Sequence, residues 1–382
     1  MADGRALAED FQGVVFDLDG VVYLGDQVVP AAPAALDQVR GLGVRIVFVT
    51  NNSYRPPDLV VERLNRLGVK ATAGEVLTSA QATVRLLGGH DCLDGVRVMV
   101  VGGPGLRQAL EGAGARLVGG WRDAEVVAVG FDPDLTYAKV RDATLAIRAG
   151  ARFVGSNPDT TLPTPEGFWP GAGSTLALLR ASTGVRPEVA GKPERALLDT
   201  AAAAIGAGPY LMVGDRVDTD LDGAHRLGWS TALVLSGVTR LADLPDLVTA
   251  PDHVLRDVGG LLDPPGPAVR RAGDGDRDAA ARLLGTGEGG EARVLVAADG
   301  DRVVGAVGVG SDGRLTGPVV EEDRRGRLVG GRLVLAASIE ARRAGLARVA
   351  APADGGDAEA FLTRLGFRTD PGGERALVRE LQ

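Results

Sequence analysis

The sequence has few of the residues that build disulfides, metal clusters and membrane spans. Cys92 is the only cysteine among 382 residues, which excludes an internal disulfide and a cysteine-based metal cluster. The three histidines show no metal-binding spacing. No apolar run approaches the roughly 20 residues that a membrane span needs, and the polar start of the chain contains no secretory signal. We therefore expect a cytoplasmic protein without a membrane partner.

Acidic residues outnumber basic ones, 50 to 42, and aromatic side chains are scarce. The net charge of -8 and a pI near 5.1 argue against a nucleic-acid partner. Aromatic residues make up only 4% of the chain, so the adjacent Phe168 and Trp169 stand out. What remains, 45% hydrophobic and 24% charged residues, is typical of a globular protein. The length leaves room for two or three domains.

Short apolar runs alternate with helical patterns through the first two thirds of the chain. Uninterrupted apolar runs are typical of parallel strands that are buried on both faces. We predict strands at 13–17, 44–50, 96–103, 124–131, 151–156, 209–215 and 230–237. Repeated strand–helix–strand units predict an α/β fold with a parallel sheet and right-handed crossovers.

Polar motifs follow three of these strands, where the sites of open α/β sheets lie. They are F-D-L-D-G at 16–20, T-N-N at 50–52 and G-D-R-V-D-T-D at 214–220. A fourth feature, Lys192 in G-K-P, precedes a predicted helix. Carboxylates crowded into one crevice repel one another unless a cation neutralises them. The pattern therefore predicts a hard oxygen site that suits Mg²⁺.

Together the four motifs supply the groups that hydrolysis of a phosphomonoester needs. Asp17 can attack phosphorus and form an aspartyl-phosphate. Asp19 can protonate the leaving oxygen and then deprotonate water. Lys192 and the Thr50 hydroxyl can hold phosphate oxygens. Each motif alone is common in solvated turns, so the interpretation depends on their combination and order.

These motifs resemble those of the haloacid dehalogenase superfamily. The stretches DLDGVVYLGDQVVP, FVTNNS, AGKPE and VGDRVDTDLDGA are similar to its NagD-type and 4-nitrophenylphosphatase-like branch, over about residues 11–262. The resemblance implies a Rossmann-like core, with Asp17 as nucleophile and Asp19 as general acid and base. Asp19 favours phosphoryl transfer over dehalogenation, because a departing halide needs no proton. A mutase or phosphotransferase activity stays open.

The resemblance also implies the ligands of the metal and of the phosphate. Mg²⁺ would be bound by the Asp17 side chain, the Asp19 backbone carbonyl and Asp215. Asp220 would orient metal-bound water. The residues implied in phosphate binding are Thr50, Asn51 and Lys192.

An inserted domain must separate the second motif from Lys192. About 140 residues lie between them, too many for a crossover, and they contain three predicted strands. We predict an α/β cap at about 84–186, inserted into a catalytic core formed by 1–83 and 187–262. The resemblance implies that this cap covers the site and selects the substrate.

Four cap residues near the return to the core are candidates for substrate contacts. Asn157 and Asp159, in S-N-P-D-T, could bind polar substrate groups or the junction of core and cap. Phe168 and Trp169 could contact substrate or fill the interface between cap and core.

The predicted cap indicates the class of substrate. A capped phosphatase suits small phosphorylated metabolites. We expect glycerol 3-phosphate first, because the three-part architecture resembles actinobacterial glycerol-3-phosphate phosphatases. The rivals are phosphoglycolate, nucleoside monophosphates and pyridoxal phosphate. Caps of this branch often pair, which leaves a homodimer open.

The last part of the chain, about 268–382, resembles a GNAT acetyltransferase domain. It follows a linker candidate at 261–276 that is rich in proline, glycine and charge. Residues 292–309 predict a hairpin with D-G at its turn. Leu328 stands at the first glycine position of the CoA-binding loop, and Leu362 replaces a customary tyrosine. We expect a GNAT-like α+β domain used for packing, dimerisation or ligand sensing, which makes a regulatory CoA-sensing protein the alternative function.

Overall fold

A computed structural model describes residues 4–88, 92–164, 166–285, 293–326, 328–353, 355–370 and 375–381. The chain divides into two compact units. The first contains residues 8–231 and 257–259, and the second contains the described parts of 1–7, 232–256 and 260–382. None of the described helices has the length and apolar character that crossing a bilayer requires.

A parallel sheet in the first unit confirms the predicted Rossmann-like core. Its strand order is Tyr210–Gly214, Gly13–Phe16, Arg45–Thr50 and Val76–Thr78. Nearly all of these strand residues are buried, which explains why their sequences are apolar without alternation. The helices of this part of the chain are Ala32–Gly41, Pro57–Arg66, Ser79–Gly88, Arg195–Ile205 and Asp222–Arg226. A short antiparallel pair, Tyr23–Leu24 with Gln27–Val28, follows the first strand.

Local chemistry explains the start and the buried face of helix Pro57–Arg66. Pro57 begins it, because a missing N–H is no loss in the first helical turn. Val60 and Leu64, four residues apart, lie on the same face and are buried.

A second parallel sheet in the first unit forms the inserted α/β layer. Its strand order is Glu188–Val189, Arg152–Gly155, Val126–Val129, Arg97–Val101 and Arg116–Leu117. Its helices are Pro104–Gly112, Tyr137–Arg148 and Ala172–Thr183.

Apolar clusters cover both faces of this second sheet. Val98 and Val100 contribute to one cluster, whereas Met99 and Val101 contribute to the other, as the twofold periodicity of a strand requires. We call this sheet with its helices the cap sheet; the exact limits of the cap and the core stay predictions.

An antiparallel hairpin in the cap segment was not predicted from the sequence. Thr161–Thr164 pairs with Gly167–Pro170, and this two-stranded sheet contains no further strand. Phe168 is 77% exposed and Trp169 is 41% exposed. The exposure of both side chains gives no support to the interpretation that they fill an interface between cap and core, which stays a prediction. Their role in substrate contact stays a prediction.

The second unit contains two antiparallel sheets. One has the order Ala268–Arg271, Arg293–Asp299, Arg302–Val309 and Leu315–Val320, and the other Arg348–Pro352, Ala376–Glu380 and Arg368–Thr369. Its helices are Arg277–Leu284, Val329–Arg343 and Asp357–Arg364. The strand Ser230–Val234 crosses the unit boundary, and from Ala232 onward it pairs in parallel with His253–Leu255.

These sheets confirm some expectations for the second unit and correct one. The predicted hairpin is present, with Gly300 in a left-handed conformation between its strands. The linker candidate is shorter than predicted, because Ala268–Arg271 pairs with the next strand and Val269 packs on the apolar core. The α+β character is confirmed, while the resemblance to a GNAT domain stays a prediction.

Within the second unit, the segment Leu241–Asp246 packs against helix Val329–Arg343. Leu244 is fully buried. Arg342 donates hydrogen bonds to the carbonyl oxygens of Pro245 at 2.8 Å and Leu247 at 3.1 Å. The segment that follows strand Ser230–Val234 is thus held by the C-terminal part of the chain.

Candidate active site

The carboxyl ends of the parallel core strands bring the predicted motifs together. Asp17 follows Gly13–Phe16 directly, and Asp215 follows Tyr210–Gly214. Because these strands are neighbours in the sheet, their loops lie side by side. Carboxylate oxygens of Asp17, Asp215 and Asp220 all lie within 4.8 Å of one another. We call these three residues the carboxylate cluster.

Lys192 enters this cluster from the loop after strand Glu188–Val189. Its Nζ lies 2.5 Å from Oδ1 of Asp17 and 2.7 Å from Oδ1 of Asp220. The lysine side chain is only 2% exposed. Burial alone would lower the pKa of Lys192, but Asp17 and Asp220 outweigh this effect and raise it above its ordinary value. Lys192 is therefore a fixed positive charge at the site.

The cluster has the chemistry of a divalent-cation site. Burial raises the pKa of Asp17 well above its ordinary value, and Asp220 and Asp215 add to this rise, while Lys192 opposes it. Two of the three carboxylates, Asp17 and Asp220, thus contact one ammonium group, and all three offer hard oxygen donors. Such a donor set suits Mg²⁺, so the residues present fit the metal.

Gly214 makes the close approach within the cluster sterically possible. A Cβ atom at this position would lie 2.3 Å from Cβ of Asp220 and 2.5 Å from its Oδ2. The backbone N–H of Arg216 donates to the same Oδ2 at 3.2 Å. The glycine in G-D-R-V-D-T-D therefore lets the Asp220 carboxylate fold back against the end of the strand.

Asp19 lies beside Tyr23 in the loop after the first strand. It reaches solvent, yet protein surrounds it on most sides, and this loss of hydration raises the pKa of its carboxyl. Arg63, Lys192 and Arg55 oppose the rise. The Arg63 guanidinium stacks 4.1 Å from the centroid of the Tyr23 ring. A carboxyl with a raised pKa retains a proton more readily, as a general acid must.

The T-N-N motif ends strand Arg45–Thr50 at the same edge of the sheet. Thr50 is buried, and its Oγ1 accepts a hydrogen bond from the backbone N–H of Asn52 at 3.1 Å. The Asn51 side chain hydrogen-bonds the backbone of Lys192 in both directions, at 2.8 and 3.0 Å. The second motif thus holds the loop that carries the lysine.

Two of the cap candidates contact this motif directly. The Asn157 amide donates to the backbone oxygen of Asn51 at 2.7 Å, and Asp159 Oδ2 accepts from Asn51 Nδ2 at 3.1 Å. Burial raises the pKa of Asp159, and the hydrogen bond from Asn51 opposes this shift. These hydrogen bonds join the segment after strand Arg152–Gly155 to the T-N-N motif, while the roles predicted for Asn157 and Asp159 stay predictions.

The catalytic roles that the sequence suggested for these residues stay predictions, but their placement is clear. Lys192 contacts Asp17 and Asp220, and carboxylate oxygens of Asp17, Asp215 and Asp220 lie within 4.8 Å of one another. Asp19 lies in the same loop as Asp17, and Thr50 ends the neighbouring strand. Phe168 and Trp169 lie on the exposed hairpin instead.

Sequence reasoning missed several supporting residues. Ser53 and Ser156 share a buried hydrogen bond of 2.8 Å between core and cap, and the Ser79 hydroxyl donates to the Asn51 oxygen at 2.6 Å. Ser53 ends the stretch FVTNNS, and Ser156 begins S-N-P-D-T, so their places in these motifs could have marked them as site residues. Ser79 and Arg63 lie on helices in which no spacing marked them.

Several known proteins with similar sequences and structures are named as phosphatases. A family model for haloacid dehalogenase-like hydrolases matches residues 14–116, and one for HAD-hydrolase-like proteins matches residues 189–261. D-glycerol 3-phosphate phosphatase of Mycobacterium tuberculosis is 39% identical over 260 residues, which is 67% of this chain and 72% of the relative.

Two solved structures extend this likeness. The glycerol phosphate phosphatase of Mycobacterium tuberculosis in complex with magnesium has a TM-score of 0.76 and 33% identity, and the match covers 95% of this chain and 99% of that one. The p-nitrophenyl phosphatase of Archaeoglobus fulgidus has a TM-score of 0.63 and 29% identity, covering 66% and 98%. The first match must therefore include much of the second unit. The chain belongs to the haloacid dehalogenase superfamily and is a phosphatase of its NagD and p-nitrophenyl phosphatase-like branch, which uses Mg²⁺.

Proposed function

We propose that this phosphatase hydrolyses small phosphomonoesters through an aspartyl-phosphate on Asp17, with glycerol 3-phosphate as its preferred substrate. The observation that carries the proposal is the contact of the Lys192 ammonium with Asp17 inside the carboxylate cluster. Asp17 thereby supplies a nucleophilic carboxylate, and Lys192 beside it supplies a cation for the phosphoryl oxygens.

The proposed reaction proceeds in two displacements at phosphorus. A carboxylate oxygen of Asp17 forms a bond to phosphorus as the bond to the leaving oxygen breaks, and Asp19 gives its proton to that oxygen. Asp19, now ionised, takes a proton from a water molecule that attacks the same phosphorus. The bond to Asp17 breaks, inorganic phosphate leaves, and both aspartates regain their starting states.

The proposed ligands of the metal are those that the family resemblance implies, and two of them belong to the carboxylate cluster. Asp17, Asp215 and the Asp19 backbone carbonyl would hold Mg²⁺, and Asp220 would orient its water. When bound, Mg²⁺ supplies positive charge that stabilises the phosphoryl oxygens. Lys192 supplies a second, permanent positive charge, and the Thr50 hydroxyl can donate to a phosphoryl oxygen.

Two considerations support a small substrate and glycerol 3-phosphate in particular. An inserted cap sheet is suited to enclosing a metabolite and excluding bulk water. The relative from Mycobacterium tuberculosis bears the name of a glycerol 3-phosphate phosphatase, and the matching structure covers 95% of this chain. Phosphoglycolate, nucleoside monophosphates and pyridoxal phosphate are the compounds to compare.

Release of inorganic phosphate from these four substrates tests the proposal. We expect Mg²⁺-dependent release that EDTA abolishes and renewed Mg²⁺ restores, with the highest kcat/KM for glycerol 3-phosphate. A higher kcat/KM for one of the other three compounds would change the proposed substrate but leave the proposed reaction unchanged. No release from any phosphomonoester would overturn the proposed function.

The CoA-sensing alternative predicts a separate result. Saturable binding of acetyl-CoA to the full chain, measured by calorimetry, would support it. We expect no such binding, because Leu328 replaces the first glycine of the family's CoA-binding loop.

A further inference from the structure

Asn51 uses both of its amide hydrogens within the protein. Its Nδ2 donates to the backbone oxygen of Lys192 at 3.0 Å and to Oδ2 of Asp159 at 3.1 Å. Its Oδ1 accepts from the backbone N–H of Lys192 at 2.8 Å. Since a primary amide has only two donor hydrogens, the side chain cannot also donate to a phosphate without breaking one of these bonds.

The fit around Asn51 leaves little room for movement. A Cβ atom at Gly191 would lie 2.6 Å from Asn51 Oδ1 and 2.7 Å from the backbone oxygen of Ser156. Glycine before Lys192 therefore allows the loop to approach Asn51 closely. The approach is needed for the two hydrogen bonds between Asn51 and the Lys192 backbone.

The backbone of Asn51 is held as firmly as its side chain. Its carbonyl oxygen accepts from the Ser79 hydroxyl at 2.6 Å and from the Asn157 amide at 2.7 Å. Asn157 Oδ1 in turn accepts from the backbone N–H of Asp159 at 3.1 Å. The segment that returns from the cap thus contacts Asn51 at two points.

The position of the Lys192 ammonium group depends on these hydrogen bonds. Its ammonium lies between Asp17 and Asp220, at 2.5 and 2.7 Å, and the side chain is almost completely buried. A shift of its backbone would move the ammonium away from one carboxylate toward the other. Small displacements of catalytic groups are costly, since a misplacement of about 1 Å can lower the rate roughly 100-fold.

We propose that Asn51 and Asp159 are positioning residues that aim Lys192 at the reacting phosphoryl group, with Asp159 acting through Asn51 as a hydrogen-bond acceptor. The cap-return segment, residues 156–159, is then connected to the phosphate-binding lysine by two consecutive hydrogen bonds. This inference rests on the proposed function, because it assigns Lys192 to the phosphate.

Substitutions at both positions distinguish positioning from direct substrate binding. We expect Asn51→Ala and Asp159→Leu each to lower kcat by about 10- to 100-fold and to weaken binding of inorganic phosphate in the presence of Mg²⁺, measured by calorimetry. Asp159→Asn retains an acceptor oxygen and should keep kcat within about threefold of the wild type. An equal loss in Asp159→Asn and Asp159→Leu would overturn the acceptor role.

The double variant tests whether Asp159 acts through Asn51. We expect Asn51→Ala with Asp159→Leu to be no slower than Asn51→Ala alone, within about twofold, because the second change removes a contact already lost. Multiplied losses would contradict the connection.

Asn65 offers a matched control outside the site. Its side chain bridges backbone groups in the same way, donating to Val61 and Ala71 oxygens at 3.0 Å each and accepting from the Ala71 N–H at 3.2 Å. Asn65→Ala should lower the thermal unfolding temperature but leave kcat and phosphate affinity unchanged. An inactive wild type would refute the proposed function itself, whereas an active wild type with unchanged kcat in Asn51→Ala would refute only this inference.

Discussion

At the scale of single residues, Lys192 stands out because it is one of only three lysines in the sequence. Its place in G-K-P and the strand-end carboxylates predicted a shared site, and the structure brings Lys192 into contact with Asp17 and Asp220, while its role in phosphate binding stays a prediction. The partners of Asn51 were not predictable in the same way. Asp159 lies 108 positions away and Lys192 141 positions away, so only the folded arrangement of core and cap reveals their hydrogen bonds.

The carboxylate cluster predicts how Mg²⁺ affects unfolding. A ligand that binds only the native state stabilises it, by about 2.7 kcal/mol at a concentration 100 times its dissociation constant. We expect Mg²⁺ to raise the thermal unfolding temperature of the wild type and to have no such effect on Asp215→Asn. Differential scanning calorimetry with and without Mg²⁺ measures both.

Asp218 provides the control for this experiment. Its side chain is 67% exposed and pairs with Arg216 at 2.7 Å. Asp218→Asn should keep the full effect of Mg²⁺, since Asp218 does not belong to the carboxylate cluster. A wild-type response in Asp215→Asn would contradict the proposed metal ligands.

At the scale of secondary structure, buried strands were the easiest elements to predict. Their apolar runs cannot be mistaken for loops, and the observed strands Gly13–Phe16 and Arg45–Thr50 lie within the predicted ones. The hairpin formed by Thr161–Thr164 and Gly167–Pro170 was missed, because its strands are short, contain two prolines and are mostly exposed. Hydrophobic periodicity carries no signal where a strand buries no face.

Helix Val329–Arg343 contains a buried carboxylate that should make stability depend on pH. The pKa of Glu340 is lowered overall: burial would raise it, but hydrogen bonds from Arg271 and Arg343 outweigh that effect. Its ionised form is therefore favoured in the folded state. This stabilisation is fully present above the ordinary glutamate pKa of 4.5 and is lost as the pH falls through the lower folded value.

The prediction concerns the difference between the wild type and Glu340→Gln. At pH 7 the variant should be less stable by about 1 kcal/mol, a modest loss because both arginines are exposed to solvent. The difference should shrink as the pH falls below about 4.5, because the unfolded wild type takes up a proton at Glu340 there and the folded protein does so only at lower pH. Urea unfolding at a series of pH values measures it. A difference that does not change between pH 3 and pH 7 would contradict the assigned ion pairs.

At the scale of the whole molecule, the sequence indicated a three-part chain, and the structure shows two compact units. Most of the residues predicted for the core and the cap lie together in one unit. The segment Leu241–Asp246 is an exception: it belongs to the predicted core range 187–262, yet it packs on helix Val329–Arg343 in the second unit. The composition of the linker predicted where the chain becomes irregular. It could not predict with which of the two units the preceding segment, Leu241–Asp246, would pack.

Removal of residues 264–382 should therefore harm the remaining chain. The deletion would expose Leu244, which is fully buried, and leave the carbonyl oxygens of Pro245 and Leu247 without Arg342. We expect a lower thermal unfolding temperature and association in size-exclusion chromatography. A truncated protein that stays monodisperse, with the unfolding temperature of the full chain, would show that the segment Leu241–Asp246 does not depend on the C-terminal part.

The most direct test of the account is the phosphatase rate of Asp17→Asn on glycerol 3-phosphate with saturating Mg²⁺. We predict a loss of at least about 1000-fold in kcat, because an amide cannot act as the nucleophile, with folded protein confirmed by circular dichroism. Activity within about tenfold of the wild type would contradict the assignment of Asp17 as the residue that attacks phosphorus.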